Sequence, residues 1–268
     1  MRRFFAGLAV AALLATALAV PAVAVTDGQL DGSGHPYVGL MVAQTEDGTP
    51  LWRCSGTLLS PTVFLTAGHC TEAPAARAEI WFAADVQSGV PANGYPYHGD
   101  VSGTTYTHPD YDPARFTVRD VGVVVLDTAM PMKAYGTLPA LNQLDALKAR
   151  RGTQDVTFTA VGYGLQKSFP DAASWKEQAV KVRMVAHPKL NQINVPGSVG
   201  DYSMLLSNNA RTGGTCFGDS GGPNFLGTSN VVAGVTSFGI NTTCAGTGGV
   251  FRMDRSWSRD WVMTFLVP

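Results

Sequence analysis

The sequence predicts an all-β protein, built of antiparallel sandwiches or barrels and closed by one short C-terminal helix. Two observations carry that expectation. Short runs rich in Val, Thr and aromatic residues recur along the chain, interrupted by Gly, Pro, Asn and Asp, which is the pattern of strands joined by turns rather than of alternating β-α units. Helical periodicity is scarce until "DRSWSRDWVMTFL", where Trp257, Trp261 and Phe265 recur every four residues and so share one helical face.

In chain order, the first element is not part of that fold. Arg2 and Arg3 head an Ala/Leu/Val-rich run from Phe4 to Val20, Pro21 breaks it, and Ala22-Val23-Ala24 offers the small-x-small pattern of a signal-peptidase site. A membrane anchor is the competing reading, since the run is nearly long enough to span as a helix; the cleavage pattern and the lack of a second such run favour a signal peptide over 1–24. The strand-like runs follow: "YVGLMVA", "CSGTLLS", "TVFLTAG", "AEIWFA", "VGVVVLD", "VTFTAVGYG", "KVRMVA", "NVVAGVTSFG" and "GGVFRM". Between them, Met130 to Ala146 shows no clean alternation and suits a crossing between two halves. The terminal helix has Asp254 or Ser256 as its candidate cap.

Removing residues 1–24 takes Arg2 and Arg3 away and leaves 244 residues, with 17 Lys and Arg against 20 Asp and Glu, a formal charge of −3. That length suits one large all-β domain or two smaller ones. The balance offers no basic stripe for nucleic acid or anionic lipid, so neither is expected as a partner, nor a membrane once the signal is removed. Cys54, Cys70, Cys216 and Cys244 all lie in the mature part. In an exported chain an even count suggests disulfides, with three pairings open. No C-x-x-C spacing occurs and the five His are scattered, so neither a metal nor a cofactor is expected.

Two stretches carry chemistry: "LTAGHC" at Leu65–Cys70 and "TCFGDSGGP" at Thr215–Pro223. The second contains G-x-S-x-G, but a lipase or esterase needs its histidine after the serine. The last histidine here is His187, well before Ser220, so that reading fails on order. The order His69, acid, Ser220 remains. A serine hydroxyl needs a base to take its proton, a neutral imidazole can do so near pH 7, and a carboxylate behind the ring fixes its tautomer. Among Asp110, Asp112, Asp120 and Asp127, only Asp120 precedes the buried-looking run "VGVVVL", which makes it the candidate acid.

"TAGHC" and "GDSGGP" resemble the blocks around the catalytic His and Ser of the trypsin/chymotrypsin family of secreted, bacterial-type serine proteases. "SGTLLSPTVFLTAGHC", "HPDYDP", "RDVGVVVLD", "VGYG" and "TSFG" resemble further blocks of that family, in the same order. The resemblance implies two packed six-stranded antiparallel Greek-key β-barrels of the chymotrypsin type, about 36–135 and 136–255, with a C-terminal helix about 256–266. It implies Ser220 as nucleophile, His69 as base and then acid, and Asp120 as orienting acid. The N–H groups of Gly218 and Ser220 become the oxyanion donors, and the pairings become Cys54–Cys70 and Cys216–Cys244. Gly214 falls at the floor of the primary pocket, with Ser237, Gly239 and Gly249 on its walls. No carboxylate stands at that floor, so an apolar or aromatic side chain is expected there rather than Lys or Arg.

In the same family a freshly cut N-terminus folds inward and pairs with the Asp before the nucleophile, here Asp219. Counting back from "HPYVGL" puts that terminus at Val25, the residue exposed by cutting after Ala24. Thr26 and Asp27 depart from the small apolar residues usual there, and a cut after Ala19 would instead leave a short propeptide. The expected product is a secreted, monomeric serine endopeptidase acting on protein or peptide substrates. The rivals are a non-catalytic homologue that uses the fold for binding, and a structural surface protein with an accidental motif.

Overall fold

The computed structural model describes residues 25–115, 118–148, 155–167, 179–194 and 200–267; residues 1–24, the expected signal peptide, lie outside them. Six strands form a closed barrel: β2 (Val38–Gln44), β3 (Pro50–Leu58), β4 (Val63–Thr66), β5 (Arg77–Trp81), β6 (Val101–Thr107) and β7 (Gly122–Leu126). Their order around the barrel is β2-β3-β4-β7-β6-β5 and every neighbour is antiparallel. The run "VGVVVLD" becomes β7, whose Val123 and Val124 are fully buried, as an apolar strand inside a closed sheet must be. β6, "VSGTTYT", escapes the sequence pattern because its hydroxyl side chains carry no apolar alternation.

The second half contains β8 (Phe158–Gly162), β9 (Met184–Ala186), β10 (Leu190–Ile193), β11 (Ser203–Asn208), β12 (Pro223–Leu226), β13 (Val232–Gly239) and β14 (Gly246–Arg252). With β1 (Gln29–Leu30) added at the β9 edge, they form one sheet in the order β1-β9-β8-β12-β13-β14-β11-β10. β9 and β10 are two arms of one bent strand. They flank His187-Pro188-Lys189; β9 pairs with β8, β10 pairs with β11, and a Thr157–Lys189 bridge joins the two ends. Counted as one, they give the six strands expected of a second barrel. Pro223 opens its strand, where a missing N–H costs least.

The terminal helix α1 spans Ser256–Met263, shorter than expected, and neither Asp254 nor Ser256 caps it. Asp254 is instead committed to the Arg252 guanidinium (2.9 and 2.7 Å) and the Leu144 N–H (2.8 Å). Trp257, Trp261 and Phe265 do pack against the main core, which runs through both halves, from Leu40 and Phe64 to Phe225 and Phe251. Among the described residues no helix is long and apolar enough to cross a membrane.

A polar clamp also joins the halves. Arg183, 2% exposed, donates to Asp31 Oδ2 (2.8 Å), the Gly32 carbonyl (2.8 Å), the Val38 carbonyl (3.2 Å), the Phe82 carbonyl (2.9 Å) and the Tyr163 hydroxyl (3.1 Å). Burial pushes the Asp31 carboxyl up, but hydrogen bonds from His35 and Arg183 outweigh it and hold the group below its ordinary value. That contribution to stability is present above the unfolded carboxyl pKa and fades as pH falls through the depressed folded one. Replacing Arg183 by Met leaves the buried Asp31 carboxylate with His35 alone and takes a donor from four other acceptors, and is expected to cost about 3–5 kcal/mol in urea unfolding. A change below about 1 kcal/mol, the range of exposed pairs, would remove the clamp from the stability account.

Candidate active site

β4 ends at Thr66 and leads through Ala67 into a 3₁₀ turn, Gly68–Cys70, which presents His69. Asp120 lies just ahead of β7 and is fully buried. Its carboxylate accepts the His69 backbone N–H (2.9 Å) and faces His69 Nδ1 with both oxygens, at 3.1 and 3.0 Å. Nδ1 therefore carries the proton, and Nε2 is left as an acceptor. The Ser237 hydroxyl, from β13, donates to the other oxygen of the same carboxylate. Burial drives the His69 imidazolium down, but the charge and hydrogen bond of Asp120 outweigh it, with Glu72 assisting, and the pKa is raised.

Ser220 sits on the turn before β12, braced from the first barrel. The Ser55 N–H donates to the Ser220 carbonyl (2.8 Å), the Ser55 hydroxyl donates to the Gly218 carbonyl (2.9 Å), and the Tyr163 N–H donates to the Ser55 hydroxyl (3.0 Å). Within the turn, the N–H groups of Asp219, Gly221 and Gly222 are used, by Cys216, Thr236 and Asp219 carbonyls. Those of Gly218 and Ser220 have no acceptor among the described residues, an uncommon state for backbone donors that are not left to water. Gly218 has φ +93°, a conformation L side chains rarely adopt, and a Cβ there would also crowd the Gly164 Cα at 3.1 Å.

The Asp219 carboxylate, fully buried, accepts the Gly164 N–H (2.7 Å) and the Cys216 N–H (2.9 Å). Desolvation pushes it up to about 7, against those two bonds and the charge of Arg53. Val25 is fully buried against Val182, Met184 and Ala186, and its φ is +56°. Thr26 then pairs with Gly214: the Gly214 N–H donates to the Thr26 carbonyl (3.0 Å), and the Thr26 hydroxyl donates to Asn208 Oδ1 (2.6 Å).

His69 and Ser220 line one cleft of about 640 Å³, with Tyr111 and Pro113 on one side and Thr215, Phe238, Gly239 and Ile240 on the other. Ser237 and Gly239 also line it. Gly214 and Gly249 do not line this cleft directly. A Cβ on Gly214 would meet Asn208 Cγ at 2.3 Å, and one on Gly249 would meet Phe238 Cζ at 2.3 Å. Those two side chains occupy the space that bare glycines would leave open. The structure joins Cys54 to Cys70 and Cys216 to Cys244, with Cα separations of 6.2 and 5.4 Å. The first disulfide ties β3 to the His69 turn; the second ties the turn before Ser220 to the cleft wall.

A family model described as Trypsin matches residues 30–262. The chain belongs to the trypsin family. A trypsin from Saccharopolyspora erythraea is 29% identical over 223 residues, covering 81% of this chain and 87% of that one. A venom serine protease, Bi-VSP, from Bombus ignitus is 26% identical over 220 residues, covering 80% of this chain; the match spans 59% of the venom protease's own length. In structure, the chain superimposes on a collagenase solved at 1.7 Å with a TM-score of 0.69 and 20% identity, covering 90% of this chain and 98% of that one. The fold is thus the all-β, chymotrypsin-type arrangement of two barrels with a short terminal helix. Three contributors to this trypsin-family site do not stand out in sequence: Ser55 as a brace, the Ser237 hydroxyl as a partner of Asp120, and Asn208 beneath the cleft. Ser55 and Ser237 sit inside matched blocks, but only the folded register shows where their hydroxyls go. Asn208, on β11, has no motif around it.

Proposed function

We propose that this protein is a secreted serine endopeptidase that cleaves peptide bonds through an acyl-enzyme. The observation that carries the reading is the pair of uncommitted N–H groups on Gly218 and Ser220, in a turn whose serine shares a cleft with the His69–Asp120 pair. His69 Nε2 takes the Ser220 proton as Oγ bonds to the substrate carbonyl carbon. The carbonyl oxygen becomes an oxyanion held by the two N–H groups. The imidazolium, stabilised by Asp120, then gives its proton to the leaving amine as the C–N bond breaks. Water repeats the sequence against the ester and restores Ser220.

The acyl-side pocket takes an uncharged side chain, since apart from His69 and Glu72 the cleft is lined by apolar groups, hydroxyls and the neutral Asn241 amide. Two measurements test the reading. A serine-directed phosphonate is expected to label Ser220, and absence of label in correctly processed protein would leave a binding homologue. A peptide panel varied only before the cut is expected to be cleaved fastest after aromatic or large apolar residues; fastest cleavage after Arg would refute the pocket.

Export and activation are proposed to be one cut, before Val25. Positive φ is costly for a β-branched residue, about 1–2 kcal/mol, and φ of Val25 exists only while the bond to residue 24 does; cutting removes that strain. The freed ammonium gives Asp219 a counter-charge. A carboxyl whose folded pKa is raised loses stability as pH climbs from its unfolded value, about 4, through the folded one, here about 7. Protein carrying extra residues before Val25 is therefore expected to melt below the cut form at pH 8 and to match it more closely at pH 5. Its kcat is expected to fall by about 10²–10³-fold, the effect of a misaligned oxyanion donor. Full activity in the extended protein would remove Val25 from the mechanism.

A further inference from the structure

Glu72 is a charged side chain of the cleft that the proposed chemistry does not use. It follows the His69 turn directly, and its backbone N–H donates to the Gly68 carbonyl (2.9 Å), which fixes the side chain's origin beside the imidazole. Its half-buried side chain lines the same cleft as His69 and Ser220. Among the described residues its carboxylate accepts no hydrogen bond and pairs with no Lys or Arg. Burial raises its pKa, His69 lowers it and Asp120 raises it again, so it lies within electrostatic reach of both. Apart from His69, the remaining lining is uncharged, made of apolar groups, hydroxyls and the Asn241 amide, and includes Tyr111 and Pro113. A carboxylate on such a wall is partly screened by water in the free protein, and it acts on whatever part of a peptide passes along it and covers it.

We infer that Glu72 selects substrates carrying a cationic side chain, Lys or Arg, next to the residue that fills the acyl-side pocket or just beyond the cleaved bond. This rests on the endopeptidase reading and adds a second specificity element to it. The acyl-side pocket takes an uncharged side chain, while the first-barrel wall attracts a positive charge beside it. The preferred substrate is thus a peptide in which an apolar residue at the cut has a basic neighbour.

The test is a set of quenched peptides with one apolar residue at the cut and Arg, Gln or Glu placed singly at each of the two positions on either side. Phosphonate titration of Ser220 fixes the active-site concentration first, so that an inert preparation tells against the endopeptidase reading and not against Glu72. Wild-type kcat/KM is expected to favour Arg over Gln by about five- to tenfold at one or more flanking positions, the size of a single ion pair near a protein surface. That ratio is expected to shrink in 1 M NaCl, to collapse toward one in Glu72→Gln, and to invert toward Glu in Glu72→Lys. Using the ratio cancels any general effect of the substitution on His69. No preference in the titrated wild type, or an Arg preference that survives in Glu72→Gln, overturns the inference.

Discussion

Ser220→Ala is expected to lower kcat by about 10⁶-fold while the protein stays folded and still binds peptide. The turn does not depend on the Ser220 hydroxyl: the backbone carbonyl of that residue takes the Ser55 N–H, and Gly221 and Gly222 bond to Thr236 and Asp219. What disappears is the proposed nucleophile. His69→Ala is expected to cost nearly as much, and the double variant little more than either. Once the nucleophile is gone the base has nothing to deprotonate, so the losses do not multiply. The residual rate, about 10³–10⁴ above uncatalysed hydrolysis, belongs to the Gly218 and Ser220 N–H groups and to binding. Single-turnover kinetics with urea unfolding as a folding check decide it. Losses that multiply in the double variant would mean the two residues act independently.

Asp120→Asn is expected to reduce kcat by about 10⁴-fold with little change in KM. The Asp120 carboxylate receives three donors: the His69 backbone, His69 Nδ1 and the Ser237 hydroxyl. An amide replaces one acceptor oxygen by a donor. If the amide nitrogen faces the ring, Nδ1 must accept and Nε2 must carry the proton, the wrong tautomer for receiving one from Ser220. The pH profile gives an independent readout. Burial acts to lower the His69 pKa and Asp120 raises it, with a net rise. The acid limb of kcat/KM in the wild type is therefore expected above the free imidazole value of about 6.5, and in Asp120→Asn it is expected to move down. A limb that stays in place while kcat collapses would assign the pH dependence to another group.

The triad candidates were legible because each is embedded in a local pattern. His69 and Ser220 have their own blocks, and Asp120 leads the apolar run that becomes β7. The strands of the first barrel read clearly where Val, Ile and aromatic residues dominate, and β6 was lost because Ser, Thr and Gly can build a strand without advertising it. Pairings across the fold were not legible in the residues themselves. Arg183 looks like a polar interruption of "KVRMVA", yet it is buried and holds five oxygens from three separate segments. Asp254 resembles a helix cap, yet Arg252 claims it. Arg183 is placed by partners distant in sequence, and Asp254 by Arg252 two residues away together with the far-off Leu144 N–H, a combination that a capping pattern does not reveal.

Anyone wishing to retarget this enzyme will meet Asn208 first. Its amide fills the space beside Gly214 and bonds to the Thr215 carbonyl (2.8 Å) as well as to Thr26. An acidic residue installed at 214 to recruit Lys or Arg would collide with that amide rather than reach the cleft. Redesign here requires at least a paired exchange at 208 and 214. Because Thr26 shares the amide, an engineered preference would also alter the fit of the segment that follows Val25. Positions 26, 208 and 214 form one contact group, and a library that varies one of them must vary its two neighbours with it.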